Sequence, residues 1–284
     1  LKLMVPALFG VSIAQINLLI DTIFASFLKV GSVTWLFYTD RLVDFPLGIF
    51  GVAIATVILP HLSRRHTEQN VEHFSRALDW GLRLLVLLGV PAGLGLIIFS
   101  MPLIASCFTY GVFNANDLLQ TQRSLITEAL GLPAFMIIKV LATGFYAGQN
   151  IKTPVKVGAV AMLANTILCA LLVVPLAHAG LTLASAIASY LNCGVLLYLL
   201  LHRGIYKPLP GWSRFLLQLT VASGVMSTYL YFMTENVSFW LDKPLGMRLT
   251  LILAHVFAAL VIYLLSLRLC GMKLAQFRGQ MKGA

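Results

Sequence analysis

Three charged residues stand inside an apolar run, Tyr38-Thr39-Asp40-Arg41-Leu42-Val43-Asp44-Phe45-Pro46. If the run is helical, Asp40 and Asp44 stack on one face, and Arg41 lies three residues before Asp44. Arg41 could pair with Asp44 and still turn its fork toward an anion. Phosphate suits that fork, because the guanidinium donates two parallel hydrogen bonds. The competing reading is an ion pair that only holds helices together. Pro46 removes a backbone donor just past the cluster, so a kink or a hinge is expected there. Lys139, in a later apolar run, either adds positive potential to the same cavity or snorkels to the surface. Asp21 is an isolated acid in the first apolar run. It could hold a coupling cation or a proton, helped by Asn165 or Ser185 from other helices, or be a buried acid bonded to a neighbouring helix.

The remaining polar residues read more plainly. Arg83, Arg123 and Glu128 are expected to be interfacial or paired. His61, His66 and His73 follow the second apolar run at a spacing that fits no standard zinc motif, and read as a solvated loop. Cys107, Cys169, Cys193 and Cys270 are scattered without a CxxC and read as small apolar residues of helices. No nucleophile elbow, zinc-protease motif, phosphate loop or dinucleotide fingerprint occurs. Without such a pattern, or long loops to carry an acid and a base, transport is favoured over catalysis. Neither a resident cofactor nor a metal site is expected; a coupling Na+ or H+ is the one small ligand to consider.

These charges matter because of what surrounds them. Of 284 residues, 59% are hydrophobic and 11% charged, with a mean hydropathy of +0.90. Soluble domains are about one quarter charged. So little charge cannot cover a water-facing surface, and an all-α integral membrane protein follows. A charge at the bilayer centre costs about 2.5–3.5 kcal/mol, so those inside spans must face a cavity or a partner.

A spanning helix needs about 20 apolar residues. Eight candidates are expected, at 4–28, 33–60, 77–100, 117–148, 154–175, 179–201, 213–233 and 246–269. The fourth is interrupted by Gly131 and Pro133. Thirteen Lys and Arg fall on the side that holds both termini, from Lys2 through Arg64, Arg65, Arg76, Lys152, Lys156, Arg203, Lys207 and Arg214 to Arg268, Lys273, Arg278 and Lys282. Only Lys29, Lys243 and Arg248 fall on the other. The positive-inside rule then puts both ends in the cytoplasm. The net charge of +10 is thereby a topology signal, and no nucleic-acid partner is expected. The opening Leu1-Lys2-Leu3 runs straight into apolar sequence, which suggests a piece of something longer.

Two stretches carry a resemblance. One is Tyr38 to Ala53, running on to Leu59-Pro60; the other is Gly144-Phe145-Tyr146-Ala147-Gly148-Gln149-Asn150-Ile151-Lys152-Thr153-Pro154-Val155-Lys156. Together they resemble the MurJ/MviN family of bacterial lipid II flippases, within the multidrug/oligosaccharidyl-lipid/polysaccharide exporter (MOP) superfamily. The resemblance implies two six-helix lobes followed by two extra helices, of which this chain would hold the last eight. Residues 1–201 would be the second lobe, 202–212 a cytoplasmic linker, and 213–284 the extra pair with a basic tail. It further implies alternating access around a cationic cavity that takes the pyrophosphate of lipid II. Arg41 matches the arginine of the second lobe, preceded by Asp40 as in relatives; Asp44 and Lys139 join this candidate substrate site on their residue type alone. The last helix pair would form a groove for the polyprenyl tail. Lipid II, membrane lipid and cell-wall synthesis proteins are the implied partners, in the bacterial inner membrane. The competing functions are export of another polyprenyl-linked oligosaccharide or a drug, and a membrane scaffold of the cell-wall machinery.

Overall fold

The computed structural model describes residues 4–67, 71–109, 111 and 113–272. Lys2, Lys273, Arg278 and Lys282, and the side chains of Arg64, Arg65 and His66, lie outside the described residues. The described chain is a bundle of helices: α1 (Met4–Ser26), α2 (Ser32–Pro46), α3 (Ala53–Thr67), α4 (Val71–Ile98), α5 (Ser100–Cys107), α6 (Ala115–Ala129), α7 (Leu132–Ala147), α8 (Lys152–Leu176), α9 (His178–His202), α10 (Trp212–Met233), α11 (Val237–Leu241) and α12 (Leu245–Leu269). Among the described residues six helical stretches are long and apolar enough to cross a membrane, or seven if the bent pair α6–α7 counts as one span. The 23-residue α1 is a further apolar helix and the first of the eight expected.

The differences from expectation have local causes. The second span does not stop at Pro46. A π-helical turn, Leu47–Val52, carries it into α3, so that Ser32–Ser63 runs as one span. Proline cannot donate to the preceding turn, and the wider π turn absorbs the mismatch. The amide of Leu47 is shared between the carbonyls of Val43 and Asp44. The third span starts earlier than its apolar pattern, at Val71; in the added turns Phe74 and Ser75 are buried, while Val71, Glu72 and Arg76 are exposed. Gly131 and Pro133 bend α6 against α7 by 41°. Two short helices in the outer stretches, α5 and α11, were not anticipated; at 8 and 5 residues neither can span.

Lipid is as apolar as leucine, so close contact and interhelical hydrogen bonds hold the bundle together. On α9 the small residues Gly180, Ala184 and Ala188 are buried. A Cβ at Gly180 would lie 2.3 Å from the carbonyl oxygen of Leu172, which is why this turn between α8 and α9 takes glycine. At the start of α2, Gly31 has φ +103°, and a Cβ there would strike the Trp35 ring at 2.8 Å. Helices α3, α4 and α7 pack together at the centre; α1 lies on α8, and α2 on α6. The last pair, α10 and α12, pack on each other and dock onto α4 and α5. Tyr263 donates to the carbonyl of Leu87 at 2.6 Å, and Arg248 donates to that of Ala105 at 3.1 Å.

The linker between α9 and α10 is pinned to α4. Asp79, 1% exposed, accepts from the Tyr206 hydroxyl (2.7 Å), Trp212 Nε1 (2.8 Å) and the Leu209 amide (3.2 Å). Its other oxygen pairs with Arg83 Nε at 2.7 Å. Arg83 reads from sequence as interfacial or paired, and it is paired. Burial, reinforced by the bond to Asp79, holds the Tyr206 phenol well above the usual tyrosine range.

Candidate functional site

Asp21 lies near the C-terminal end of α1, with Asn17 one turn before it on the same face. On α8, Asn165 and Cys169 are also one turn apart, and Ser185 comes from α9. The fold brings these five side chains together. Asn165 Nδ2 donates to Asp21 Oδ1 at 3.2 Å and to Asn17 Oδ1 at 3.1 Å. Ser185 Oγ lies 3.3 Å from both Asp21 Oδ2 and Asn165 Oδ1. Cys169 Sγ reaches Asp21 Oδ1 at 3.4 Å. Thus the acid and both helpers named from residue type meet in space, with two additions. Asn17 and Cys169 were missed as members. Their signal was four-residue spacing from Asp21 and Asn165 along their own helices.

The cluster offers several oxygens and a single carboxylate, a donor set that matches one monovalent cation in charge. The Cys169 thiol is soft and counts against a hard cation as its direct partner. A proton on Asp21 asks for no further ligand.

A cavity of about 220 Å³ opens beside the cluster, between α1, α2, α6 and α9. Asp21, Thr22, Asp40, Glu128, Thr182 and Ser185 are its polar lining. The Asp40 and Glu128 side chains hydrogen-bond to one another across it. Glu128 was therefore a partner of Asp40 that sequence reasoning did not find, since nothing in the α6 pattern says which helix will face it.

The four residues grouped around a phosphate do not share a cavity here. Asp40 faces inward. Arg41, rotated by about 100° from it on the same helix, is exposed. The expected Arg41–Asp44 pair does not form: among the described residues Arg41 makes no ion pair, and its guanidinium lies 4.8 Å from the Phe37 ring centroid. Both groups are exposed, where such a pair is worth about 0–1 kcal/mol and a ring one turn back competes well. Asp44 stays exposed on α2. Lys139 lines a second, larger cavity of about 710 Å³ with Asn17, Thr143, Tyr146, Ser185 and Asn192. Neither Arg41 nor Asp44 lines either cavity. Pro46 sits at the junction with the π turn.

Comparison with known proteins decides the family. The sequence matches the family described as "Lipid II flippase MurJ" over residues 1–267. The chain belongs to the MurJ lipid II flippase family. A "Probable lipid II flippase MurJ" of Vibrio cholerae is 41% identical over 277 residues, covering 97% of this chain and 53% of that protein. A "Lipid II flippase MurJ" of Burkholderia cenocepacia is 42% identical over 283 residues, covering 98% and 54%. The chain thus spans about half the length of the MurJ proteins it matches. Among solved structures, a MurJ in an inward closed conformation superposes with a TM-score of 0.77 at 27% identity, over 94% of this chain and 53% of that one. An outward-facing multidrug-resistance MATE transporter of the MOP superfamily follows at 0.61 and 15% identity, over 94% and 62%, a likeness of fold alone. The chain is accordingly a multi-pass membrane protein of MOP-transporter fold, and its MurJ relatives are named as flippases, not as catalysts.

Proposed function

We propose that this chain is the second lobe and final helix pair of a flippase that moves lipid II from the inner to the outer leaflet of the bacterial inner membrane by alternating access. The observation that carries the proposal is the MurJ match across residues 1–267. The head group is polar and charged and cannot cross hydrocarbon unaided. Two lobes rocking about a midplane site would carry it across without any covalent change. On this reading Arg41 supplies a charge-assisted, bidentate hydrogen bond to the pyrophosphate. Its exposure on α2 without an acidic partner supports that role. Asp44 and Lys139 would then act on the same substrate from a distance, and Pro46 with the π turn would be the place where the helix flexes.

Both ends of the chain would lie in the cytoplasm, following the basic residues. One monovalent cation, Na+ or H+, would bind at Asp21 with Asn165 and Ser185 and bias the two access states. Cell-wall synthesis proteins are the partners expected to supply and consume the lipid.

The test uses cells depleted of their own flippase and the full-length parent protein, unchanged or carrying Arg41→Ala. The readout is the lipid II reachable from outside. Restoration by the unchanged protein, and failure of Arg41→Ala at equal membrane level, is the expected result. Restoration by both would make Arg41 structural, and failure of both would remove lipid II as the substrate. For the ion, transport by Asp21→Asn should lose its dependence on the coupling cation; an unchanged dependence removes Asp21 from that role.

A further inference from the structure

We infer that Asp40 and Glu128 form a proton-binding site, in which one proton held between the two carboxyl groups ties α2 to α6. The pair shares its cavity with Asp21 but not the hydrogen bonds of the Asp21 cluster, and it does not depend on what the transporter carries.

The first ground is chemical. The two side chains hydrogen-bond to each other, yet two ionised carboxylates offer acceptors only. The bond exists when one of them carries a proton. The second ground is that Glu128 Oε2 is sealed from solvent, and no N–H or O–H among the described residues reaches it. A buried carboxylate oxygen without a donor is costly, and a proton shared with Asp40 removes that cost.

The third ground is the charge that faces the pair. From α1 comes Asp21, and from α2 itself Asp44; both are negative. Arg41, next to Asp40 in sequence, is exposed, with its guanidinium 4.8 Å from the Phe37 ring centroid, and lines no part of the cavity. Helix α9 offers Thr182 and Ser185 at the cavity, without charge, while its His178 lies outside the cavity lining, with Nε2 on the Gln120 carbonyl at 3.1 Å and its ring on Trp35. The Thr182 hydroxyl is taken by Thr127 at 2.6 Å, and Ser185 by the Asp21 cluster. Helix α5 has no charged residue; on α4, Asp79 and Arg83 engage each other. On α6 itself Arg123 is exposed and lines no part of the cavity. Among the described residues no cation is therefore placed to neutralise the pair, and a proton is the ligand the surroundings select. Its path is the cavity of about 220 Å³, large enough for several waters.

The consequence is mechanical. With the proton in place, α2 and α6 are joined by a hydrogen bond. Without it, two like charges meet in a poorly solvated gap and push the helices apart. Proton occupancy on the inner face of α2 thus sets the position of the helix whose outer face carries Arg41.

The experiment is infrared spectroscopy of the full-length protein in lipid nanodiscs at neutral pH, reading the protonated-carboxyl C=O band. Unchanged protein, Asp40→Asn/Glu128→Gln and Asp21→Asn are compared. The amide pair keeps a donor and an acceptor between the helices, and the amide I band of the same spectrum reports folding. The double variant should lose the intensity of one carboxyl, and Asp21→Asn should keep it. Should the double variant not insert, Glu128→Gln alone decides: its amide donates to Asp40 without a proton, so the band must be lost. Undiminished intensity in the double or single variant overturns the inference. Loss in Asp21→Asn alone, with the double variant undiminished, would place the proton in the Asp21 cluster and overturns it too. Because no lipid II is present, the result stands apart from the flippase test.

Discussion

Replacing Asp79 by alanine should release the linker between α9 and α10 from the rest of the bundle. Asp79 is 1% exposed, and its ion-pair partner Arg83 has a side chain 17% exposed. Removing one member of a buried pair costs about 3–5 kcal/mol, because the other charge is left uncompensated. Of the other donors, the Trp212 indole and the Leu209 amide are only half-buried, so water can replace Asp79 there. Tyr206 is 3% exposed and has no such recourse. The Arg83 guanidinium keeps its Nη2 bonds to the carbonyls of Leu209 (3.3 Å) and Pro210 (3.0 Å) and its place 5.1 Å from the Trp212 ring centroid, which offsets part of the loss. A net cost of about 3–4 kcal/mol follows. Asp79→Asn keeps an acceptor for the three donors and loses only the charge-assisted bond, so about 1.5–3 kcal/mol is expected.

The assay is limited proteolysis of the full-length protein in detergent, with cleavage mapped to residues 203–211. Where opening is fast relative to cleavage, the cutting rate follows the open population. Asp79→Ala should then be cut about 10²–10³ times faster than the unchanged protein, and Asp79→Asn should fall between. Equal rates for all three would refute the argument, since the linker would then be held by something other than Asp79.

Three further outcomes follow from the same geometry. Gly180→Ala should cost about 1–3 kcal/mol in thermal melting, because its Cβ would meet the Leu172 carbonyl, whereas Gly194→Ala, with open space around it, should not destabilise. Asn114 caps α6 and completes a capping box with Asp117, so Asn114→Ala should lower stability by about 0.5–2 kcal/mol in the same measurement. The Tyr206 phenol is raised in the folded state, so its contribution is complete below the ordinary tyrosine value of about 10 and is lost as pH rises above it. Tyr206→Phe should therefore flatten the alkaline decline of stability seen in pH-dependent melting.

Much of the bundle was legible because lipid imposes length and apolarity on whole segments, and those survive without tertiary information. The ends of α8, α9, α10 and α12 fall within two residues of the apolar runs. The short helices α5 and α11 escaped because they obey no such length rule. Asp21, Asn165 and Ser185 were legible as polar side chains that lipid would not tolerate. Their meeting, and the entry of Asn17 and Cys169, depends on how α1, α8 and α9 rotate about their axes, which hydropathy does not encode. Asp79 was passed over because it lies in the first turn of its expected span, at the membrane edge, where a charge asks for no explanation.

The Asp40–Arg41 step shows what grouping charges by sequence distance leaves out. Adjacent residues on a helix point about 100° apart, so neighbours in sequence are assigned to different faces. Here one face turns to α1, α6 and α9 and carries the acid that bonds to Glu128. The other is exposed and carries the guanidinium. A single turn of α2 thereby joins an inward group, sensitive to a proton, to an outward group suited to an anion. Moving the helix as a rigid body moves both. On the proposed reading this makes the inward carboxyl pair and the outward phosphate contact two ends of one equilibrium. Whatever binds outward more tightly in one helix position must shift proton occupancy inward by the same factor, because linkage between binding sites is reciprocal.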